Sequence, residues 1–162
     1  MLGMLLLSVV HARRAAAQHA PVAALLAAIN VERRAAGLGD LLPDPDLRIA
    51  AMSWSSSLAA HGREVQLRAA AGLHSHELHG STPARRLASV GVTGRAWGEI
   101  YFLGLSEPQA LVDGWMASPP HHAAILTPAF RVAGIGWVER ADDPAGFRWY
   151  VVVLFSGAPP RG

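Results

Sequence analysis

The stretch from Leu73 to Gly136 carries the residues that best indicate the fold and the chemistry of this chain. Its informative segments read Leu73-His74-Ser75-His76-Glu77-Leu78-His79-Gly80-Ser81, then Gly98-Glu99, then Trp115-Met116-Ala117-Ser118-Pro119-Pro120-His121-His122, and then Ile135-Gly136. Two histidine clusters therefore flank a glutamate that stands alone in an apolar run. Imidazole and carboxylate groups in one cleft can hold a divalent metal, move a proton or orient a polar ligand. The chemistry available to the protein depends on whether His76, Glu99 and His121 meet in space.

The composition is that of a folded protein with little net charge. The 162 residues suffice for one domain, and 51% are hydrophobic while 16% are charged, which is typical of globular proteins. The absence of cysteine excludes disulfides and thiolate metal sites. All 14 basic residues are arginine and the formal net charge is +2. No basic stripe is present, so the sequence disfavours nucleic-acid binding.

The N-terminal segment has the features of an export signal. The apolar run from Leu2 to Val10 is shorter than the roughly 20 residues that a membrane-spanning helix needs, but it has the length of a signal-peptide core. Small residues follow at Ala15–Ala17 as a cleavage site. No basic residue precedes the run, which leaves an apolar tail or a start codon assigned too late as alternatives. We predict a signal peptide or apolar segment over residues 1–20, a domain over 21–157 and a short tail over 158–162, and hence a secreted or periplasmic protein with no membrane span in its mature form.

Helical patterns dominate the first half of the chain. Pro21 begins one helix, which ends at the glycines Gly37 and Gly39. An N-cap followed by proline begins a second helix at Asp44-Pro45, for which we predict that Gly62 is the stop. Its predicted buried stripe is Leu47, Ala51, Trp54 and Leu58. The segment from Arg63 to Ser81 is ambiguous between a short helix and a loop, and Thr82-Pro83 begins a further short helix that Gly91 ends.

The second half combines strands with a helix. Residues 95–103, 132–138 and 147–155 have the apolar pattern of strands, and the last two are joined by a turn that predicts an antiparallel hairpin. Ser106 and Gln109 have the spacing of a capping box, and Pro119-Pro120 is expected to end the helix that follows. Gly134 and Gly136 lie inside a strand, where they favour close packing or a bulge. Helices followed by mainly antiparallel strands predict an α+β fold with helices covering a sheet.

Glu99 and the histidines are the candidate functional residues. A carboxylate buried among aromatic neighbours needs a charged or hydrogen-bonding partner, whereas one that reaches the sheet edge contacts water, and the local sequence leaves both open. The loop histidines His74, His76 and His79 could form a local zinc site, although their spacing is not that of a zincin. Because adjacent residues point in different directions, only one of His121 and His122 is expected to face a shared cleft. The chain has neither a Gly-x-Ser-x-Gly elbow nor a Gly-x-x-x-x-Gly-Lys phosphate loop.

In order and spacing, these segments resemble the bacterial members of the CAP superfamily, also called SCP-like domains, which includes cysteine-rich secretory proteins, insect venom antigens and plant pathogenesis-related proteins. The resemblance covers about residues 22–156. The matching segments are Asn30-Val31-Glu32-Arg33 with Gly37-Leu38, Asp46-Leu47 with Ala50-Ala51, Ser75-His76 with Gly80-Ser81 and Pro83 to Arg86, Gly98-Glu99, and Trp115-Met116-x-Ser118-Pro119-x-His121 with Ile125-Leu126, Pro128, Phe130 and Gly134-Ile135-Gly136.

The resemblance implies a three-layer α-β-α sandwich with one cleft. In that family the cleft is lined by two histidines and two glutamates, which bind zinc or another divalent cation in some members. Carried over by position, His76 and His121 match the two histidines and Glu99 matches the first glutamate. Ser118 stands where the second glutamate is found, and three neighbouring positions also depart from the family pattern, at Ile100, Pro120 and Ala124.

Three functions remain open at this point. The first is a secreted binding module whose cleft of His76, Glu99 and His121 takes a small ligand, lipid, peptide or cell-envelope component, with or without a divalent metal. The second is a metal-assisted, peptidase-like hydrolase in which His76 and His121 hold zinc and Glu99 is a ligand or the general base. The third is a structural domain with a buried histidine–glutamate network. We expect binding rather than catalysis, because no activated nucleophile is evident and a fold does not fix a function.

Overall fold

Helices cover both faces of a four-stranded sheet in the computed structural model, which describes residues 20–92 and 96–157. In chain order the elements are α1 (residues 20–35), β1 (Leu42–Pro43), α2 (Pro45–Ala60), α3 (Gly62–Ala70), α4 (Pro83–Ser89), β2 (Trp97–Leu103), α5 (Pro108–Met116), α6 (Pro119–Ile125), β3 (Val132–Glu139) and β4 (Trp149–Ser156).

The predicted helix starts are confirmed at two caps. The Asp44 carboxylate accepts a hydrogen bond from the Leu47 amide at 2.8 Å, and the Thr82 hydroxyl accepts one from the Arg85 amide at 3.2 Å. In each case a proline follows the cap, where its fixed φ suits the first helical turn. The ambiguous segment after α2 begins with helix α3.

The sheet is mixed, with the strand order β1-β3-β4-β2. Strand β4 pairs antiparallel with both β3 and β2, so the predicted hairpin is confirmed. The short edge strand β1 pairs parallel with β3, so the sheet is mainly, but not purely, antiparallel. Glu99 on β2 therefore lies at the edge of the sheet opposite β1.

Two apolar layers enclose the sheet, because β4 is buried on both faces. Val151, Val153 and Phe155 pack with α1, α5 and α6 on one face, whereas Val152 and Leu154 pack with α2 and α4 on the other. A strand covered on both faces reads as a continuous apolar run. The protein is an α-β-α sandwich, which confirms both the α+β fold predicted from the sequence and the three layers that the family resemblance implied.

Close contact between α2 and β3 explains the glycines of that strand. A Cβ atom at Gly134 would overlap the backbone at Leu47 and Arg48, and one at Gly136 would overlap the backbone at Ala51. Of the two predicted roles for these glycines, the structure shows close packing.

One local prediction is wrong, and two predicted helix ends are confirmed at positions that also begin the next helix. The capping box is wrong: Glu107 precedes α5 without a side-chain cap, and Gln109 instead donates to Asp113 at 2.8 Å, because a proline at the first helical position already sets the helix start. Pro119-Pro120 lies beyond the end of α5 but also begins α6. Gly62 follows the end of α2 and begins α3, where its missing side chain leaves room for the Tyr150 hydroxyl.

No helix within residues 20–92 and 96–157 is long and apolar enough to cross a membrane. The predicted export signal lies almost wholly in residues 1–19, which fall outside the described residues.

Candidate functional site

A tight turn after the histidine-rich segment brings that segment against β2. Leu78 and Ser81 form an isolated antiparallel bridge around His79 and Gly80, both of which have positive φ values, of 51° and 76°. The chain then enters α4, whose residues face β2 across the same apolar layer as α2. The loop, α4 and β2 thus place His76, an arginine of α4 and Glu99 side by side.

The Glu99 carboxylate is buried and fully engaged. Its side chain is 1% exposed, so the alternative in which it reaches water at the sheet edge is wrong. The Arg86 guanidinium donates from Nη2 to Oε1 and Oε2 at 2.7 and 2.6 Å, and from Nε to Oε2 at 3.1 Å. His76 Nδ1 lies 2.8 Å from Oε1. The buried charge is therefore compensated by a hydrogen-bonded ion pair.

Three groups besides Glu99 hold the Arg86 guanidinium in place. It donates to the Ser81 hydroxyl at 3.0 Å and to the His76 carbonyl at 2.9 Å. The guanidinium lies 3.8 Å from the centre of the Trp54 ring, in cation–π contact. Sequence reasoning missed this residue. The sequence did indicate that a buried Glu99 needs a cationic partner, but it did not identify which of the arginines is that partner.

His76 is oriented by its two neighbours. Because the Glu99 carboxylate can only accept, His76 Nδ1 carries a proton and donates, so in the neutral form of the ring Nε2 is the acceptor. The edge of the ring meets Tyr101, with centroids 4.9 Å apart at 69°. The Tyr101 hydroxyl in turn accepts a hydrogen bond from the Ser75 amide at 2.8 Å. The His76 side chain is 32% exposed, so the fixed ring has access to solvent.

His121 lies in the first turn of α6 and belongs to the same neighbourhood. Burial, followed by charge repulsion from His76 and His74, lowers its pKa below the ordinary value of 6.5. The His74 ring is 6.3 Å from that of His76. His121 is half-buried, whereas His122 is exposed, as expected for adjacent residues on a helix.

Ser118, at the position implied for a second glutamate, contacts His121. Its hydroxyl oxygen lies 2.9 Å from His121 Nδ1. The side chain at this position therefore orients an imidazole without adding a negative charge to the cleft.

His79 faces away from these residues. Its Nε2 atom lies 2.9 Å from the Glu64 carboxylate, and its ring lies 4.5 Å from that of His61. The three loop histidines therefore do not converge on one point, and the local zinc site they could have formed is not present.

A buried arginine fixes the helix that carries His121. Arg33 is fully buried and donates to the carbonyls of Ile125, Thr127 and Phe130 at 2.7, 3.1 and 3.2 Å. It also donates to the Gly39 carbonyl at 3.0 Å. Burial, with a smaller contribution from Arg131, lowers the Arg33 pKa. This residue explains the Asn30–Arg33 pattern as a clamp on the C-terminal end of α6.

The donor atoms of the cleft do not suit a zinc centre as they are arranged. Among the residues that the structure describes, no three His, Cys, Asp or Glu side chains are placed to share one metal ion. Both Glu99 oxygens are occupied, which leaves nitrogen atoms of His76 and His121, fewer than the three or four protein ligands that zinc sites use. Zinc binding by His76 and His121 stays a prediction, and the structure gives Glu99 a different partner.

A second concavity lies at the opposite edge of the sheet. A groove of about 520 Å³ runs between α1, β1 and the start of α2. Its lining is mostly apolar, with three polar side chains at its margin: Val22, Ala23, Leu26, Ala27, Leu41, Leu42 and Pro43, with Asn30, Asp40 and Arg48. The groove lies at the β1 edge of the sheet, whereas Glu99 lies on β2 at the other edge.

Comparisons with known proteins agree with this architecture. The chain resembles an outer surface protein of Borrelia burgdorferi, with a TM-score of 0.68 and 24% identity over 83% of this chain and 90% of that one. It also resembles an extracellular protein containing an SCP domain from Bacillus anthracis, with a TM-score of 0.61 and 20% identity over 82% and 39% of the two chains. A cysteine-rich secretory protein from Staphylococcus aureus gives a TM-score of 0.57 and 18% identity over 84% and 38%.

The chain thus spans about two fifths of the last two proteins, and these likenesses establish the fold. No curated protein matches the sequence. The profile of the cysteine-rich secretory protein family, CAP, matches residues 26–155, which is most of the chain. This protein belongs to the CAP family.

Proposed function

We propose that this protein is a secreted binding module whose recognition centre is the cleft of His76, Glu99 and His121. Family membership and the names of the similar structures, which are outer-surface, secretory and extracellular proteins, support the location. The apolar run at the N-terminus supports it as well.

The fixed, half-exposed imidazole of His76 is the observation that carries the proposal. Glu99 holds Nδ1, and the described residues provide no hydrogen bond to Nε2. A preoriented acceptor at a solvent-accessible position suits a ligand that donates a hydrogen bond from a hydroxyl or amide group. Peptides and cell-envelope glycans carry both groups, and we rank them first.

The hydrolase hypothesis is less well supported. It needs Glu99 either as a metal ligand or as a general base, and each role needs a free lone pair on a carboxylate oxygen, facing the metal in the first case and the reacting water or substrate in the second. Arg86 and His76 occupy both oxygens at 2.6–3.1 Å. The structure therefore favours binding.

Ligand capture by the purified protein tests the proposal. Calorimetric titration with pooled peptides, glycan fragments and lipid vesicles should reveal uptake that His76→Ala and His121→Ala each weaken at least about tenfold. His122→Ala, an exposed neighbour on the same helix, is the matched control and should bind like the parent. No uptake from any pool, or uptake that is equal in all four proteins, would refute the cleft as recognition centre.

A structural role is the second candidate, because the network ties together the histidine loop, α4 and β2. It predicts that His76→Ala lowers the melting temperature and changes no binding. The same set of variants separates the two candidates once melting curves are recorded beside the titrations.

A lipid would suit the groove between α1 and β1 better than the histidine cleft, because that groove is mostly apolar. Leu26→Trp would fill it. Uptake of an acyl ligand that this substitution abolishes and His76→Ala leaves intact would assign lipid binding to the groove instead.

A further inference from the structure

We infer that Arg86 is a built-in cation that takes the place of a metal ion at Glu99 and excludes divalent metals from this carboxylate. The inference concerns the metal selectivity of the cleft and does not depend on which ligand the cleft binds.

The first argument is the hydrogen-bond capacity of the carboxylate. An ionised carboxylate has about four acceptor positions, two on each oxygen. Oε1 accepts from Arg86 Nη2 at 2.7 Å and from His76 Nδ1 at 2.8 Å. Oε2 accepts from Arg86 Nη2 at 2.6 Å and from Nε at 3.1 Å. Nη2 carries two hydrogens, and because it also donates to the His76 carbonyl, its contacts with Oε1 and Oε2 share a hydrogen. Both oxygens are engaged by Arg86, and Oε1 also by His76, so a metal ion would have to replace one of these donors.

The second argument is access and charge. The Glu99 side chain is 1% exposed and that of Arg86 is 7% exposed, so an ion can reach the carboxylate only by displacing the guanidinium or the His76 ring. The positive charge of the Arg86 guanidinium would also repel a divalent cation beside it. Water screens this repulsion poorly, because the site is buried.

The third argument is that Arg86 is not free to swing aside. Ser81, the His76 carbonyl and the Trp54 ring each hold the guanidinium in addition to Glu99. Displacing it would leave a buried arginine without its carboxylate and would break these contacts together, so the pair persists at metal concentrations that fill ordinary sites.

Removing Arg86 should therefore create a metal site. The guanidinium contacts four oxygen atoms: both carboxylate oxygens of Glu99, the Ser81 hydroxyl and the His76 carbonyl. Without the arginine these oxygens would surround a vacated space, and oxygen donors with a bidentate carboxylate are the ligands that Ca²⁺ takes.

Metal titration of the parent, Arg86→Ala, Arg86→Lys and Arg86→Ala/Glu99→Gln tests the inference. Calorimetry with Ca²⁺ and with Zn²⁺ alone should show affinity at least about tenfold higher for Arg86→Ala than for the parent. The gain should be lost in the double variant and absent from Arg86→Lys, which keeps the charge. A folded Arg86→Ala protein with the affinity of the parent would overturn the inference.

If Arg86→Ala does not fold, Co²⁺ titration of the parent protein tests the inference instead. Stoichiometric Co²⁺ binding by the parent, with the visible absorption of a tetrahedral site that Glu99→Gln removes, would make Glu99 a ligand and overturn the inference. Parent spectra that stay unchanged with Co²⁺ support it. Because these titrations contain no organic ligand, their outcome is independent of the binding function proposed above.

Discussion

Replacing the buried Arg86 by methionine should destabilise the protein strongly, because the buried Glu99 carboxylate would lose its cation. The variant keeps an apolar stem of similar length but leaves the Glu99 carboxylate, 1% exposed, without the guanidinium that now lies 2.6 Å away. Removing one partner of a buried ion pair costs about 3–5 kcal/mol. The cation–π contact with Trp54 adds about 1 kcal/mol. We therefore expect the free energy of unfolding to fall by roughly 5 kcal/mol, a large share of the 5–15 kcal/mol typical of a domain.

Urea denaturation followed by tryptophan fluorescence measures this loss, with Arg85→Met as the matched control. Arg85 is exposed and its guanidinium donates to the Gly80 carbonyl at the surface, while its amide bond to Thr82 survives the substitution, so its replacement should change stability by no more than about 0.5 kcal/mol. The double variant Arg86→Met/Glu99→Leu should regain most of the loss, because an apolar pair of similar volume replaces a buried ion pair at little cost. The explanation is wrong if Arg86→Met stays within 1 kcal/mol of Arg85→Met, or if the double variant is less stable than Arg86→Met.

Three further changes test other parts of the structure. Gly134→Ala should cost about 3 kcal/mol in urea denaturation, because its Cβ would overlap the backbone of α2, whereas a loss below 1 kcal/mol would mean that α2 is not so close. Arg33→Met should cost at least about 3 kcal/mol and lower the melting temperature, because four carbonyls lose their donor; an unchanged melting curve would contradict the clamp. The lowered pKa of His121 means that the unfolded chain takes up this proton more readily, so its contribution is complete above about pH 6.5 and is lost as the pH falls below that value. His121→Gln should therefore have a flatter stability profile on the acid side than the parent, and parallel profiles would show that His121 is not the group responsible.

The elements of the fold were readable because local signals agreed with long-range packing. Asp44 and Thr82 each precede a proline, and the caps that this spacing predicts form as expected. The apolar run of β4 indicated burial without saying on how many faces, and both faces are in fact covered. The capping box at Ser106 failed because a single residue spacing carries little information when the following proline already fixes the helix start.

The composition of the site was less accessible to sequence reasoning. That a buried Glu99 needs a partner follows from desolvation alone, but the partner lies 13 residues away on another element. Arg85 and Arg86 are adjacent and chemically identical, and only the direction in which α4 presents each side chain decides that Arg86 is buried. The resemblance included Arg86 in a matching segment but assigned only His76, Glu99 and His121 to the cleft, and Trp54 was predicted only as part of a buried stripe. Such contacts depend on how loops and helices pack, which the local pattern does not encode.

Positions 86 and 118 both affect the net charge around Glu99 and His121, and at both the residue present differs from what a metal site would need. Arg86 and Glu99 neutralise each other, so the pair adds no net charge beside His76. A second glutamate at position 118 would add an uncompensated carboxylate, and burial would then favour a bound cation or a protonated histidine. Ser118 meets the need of His121 Nδ1 for a partner with a neutral hydroxyl, so no further cation is required. The arginine at position 86 and the serine at position 118 therefore act in the same direction, because neither leaves an uncompensated carboxylate beside His76 and His121.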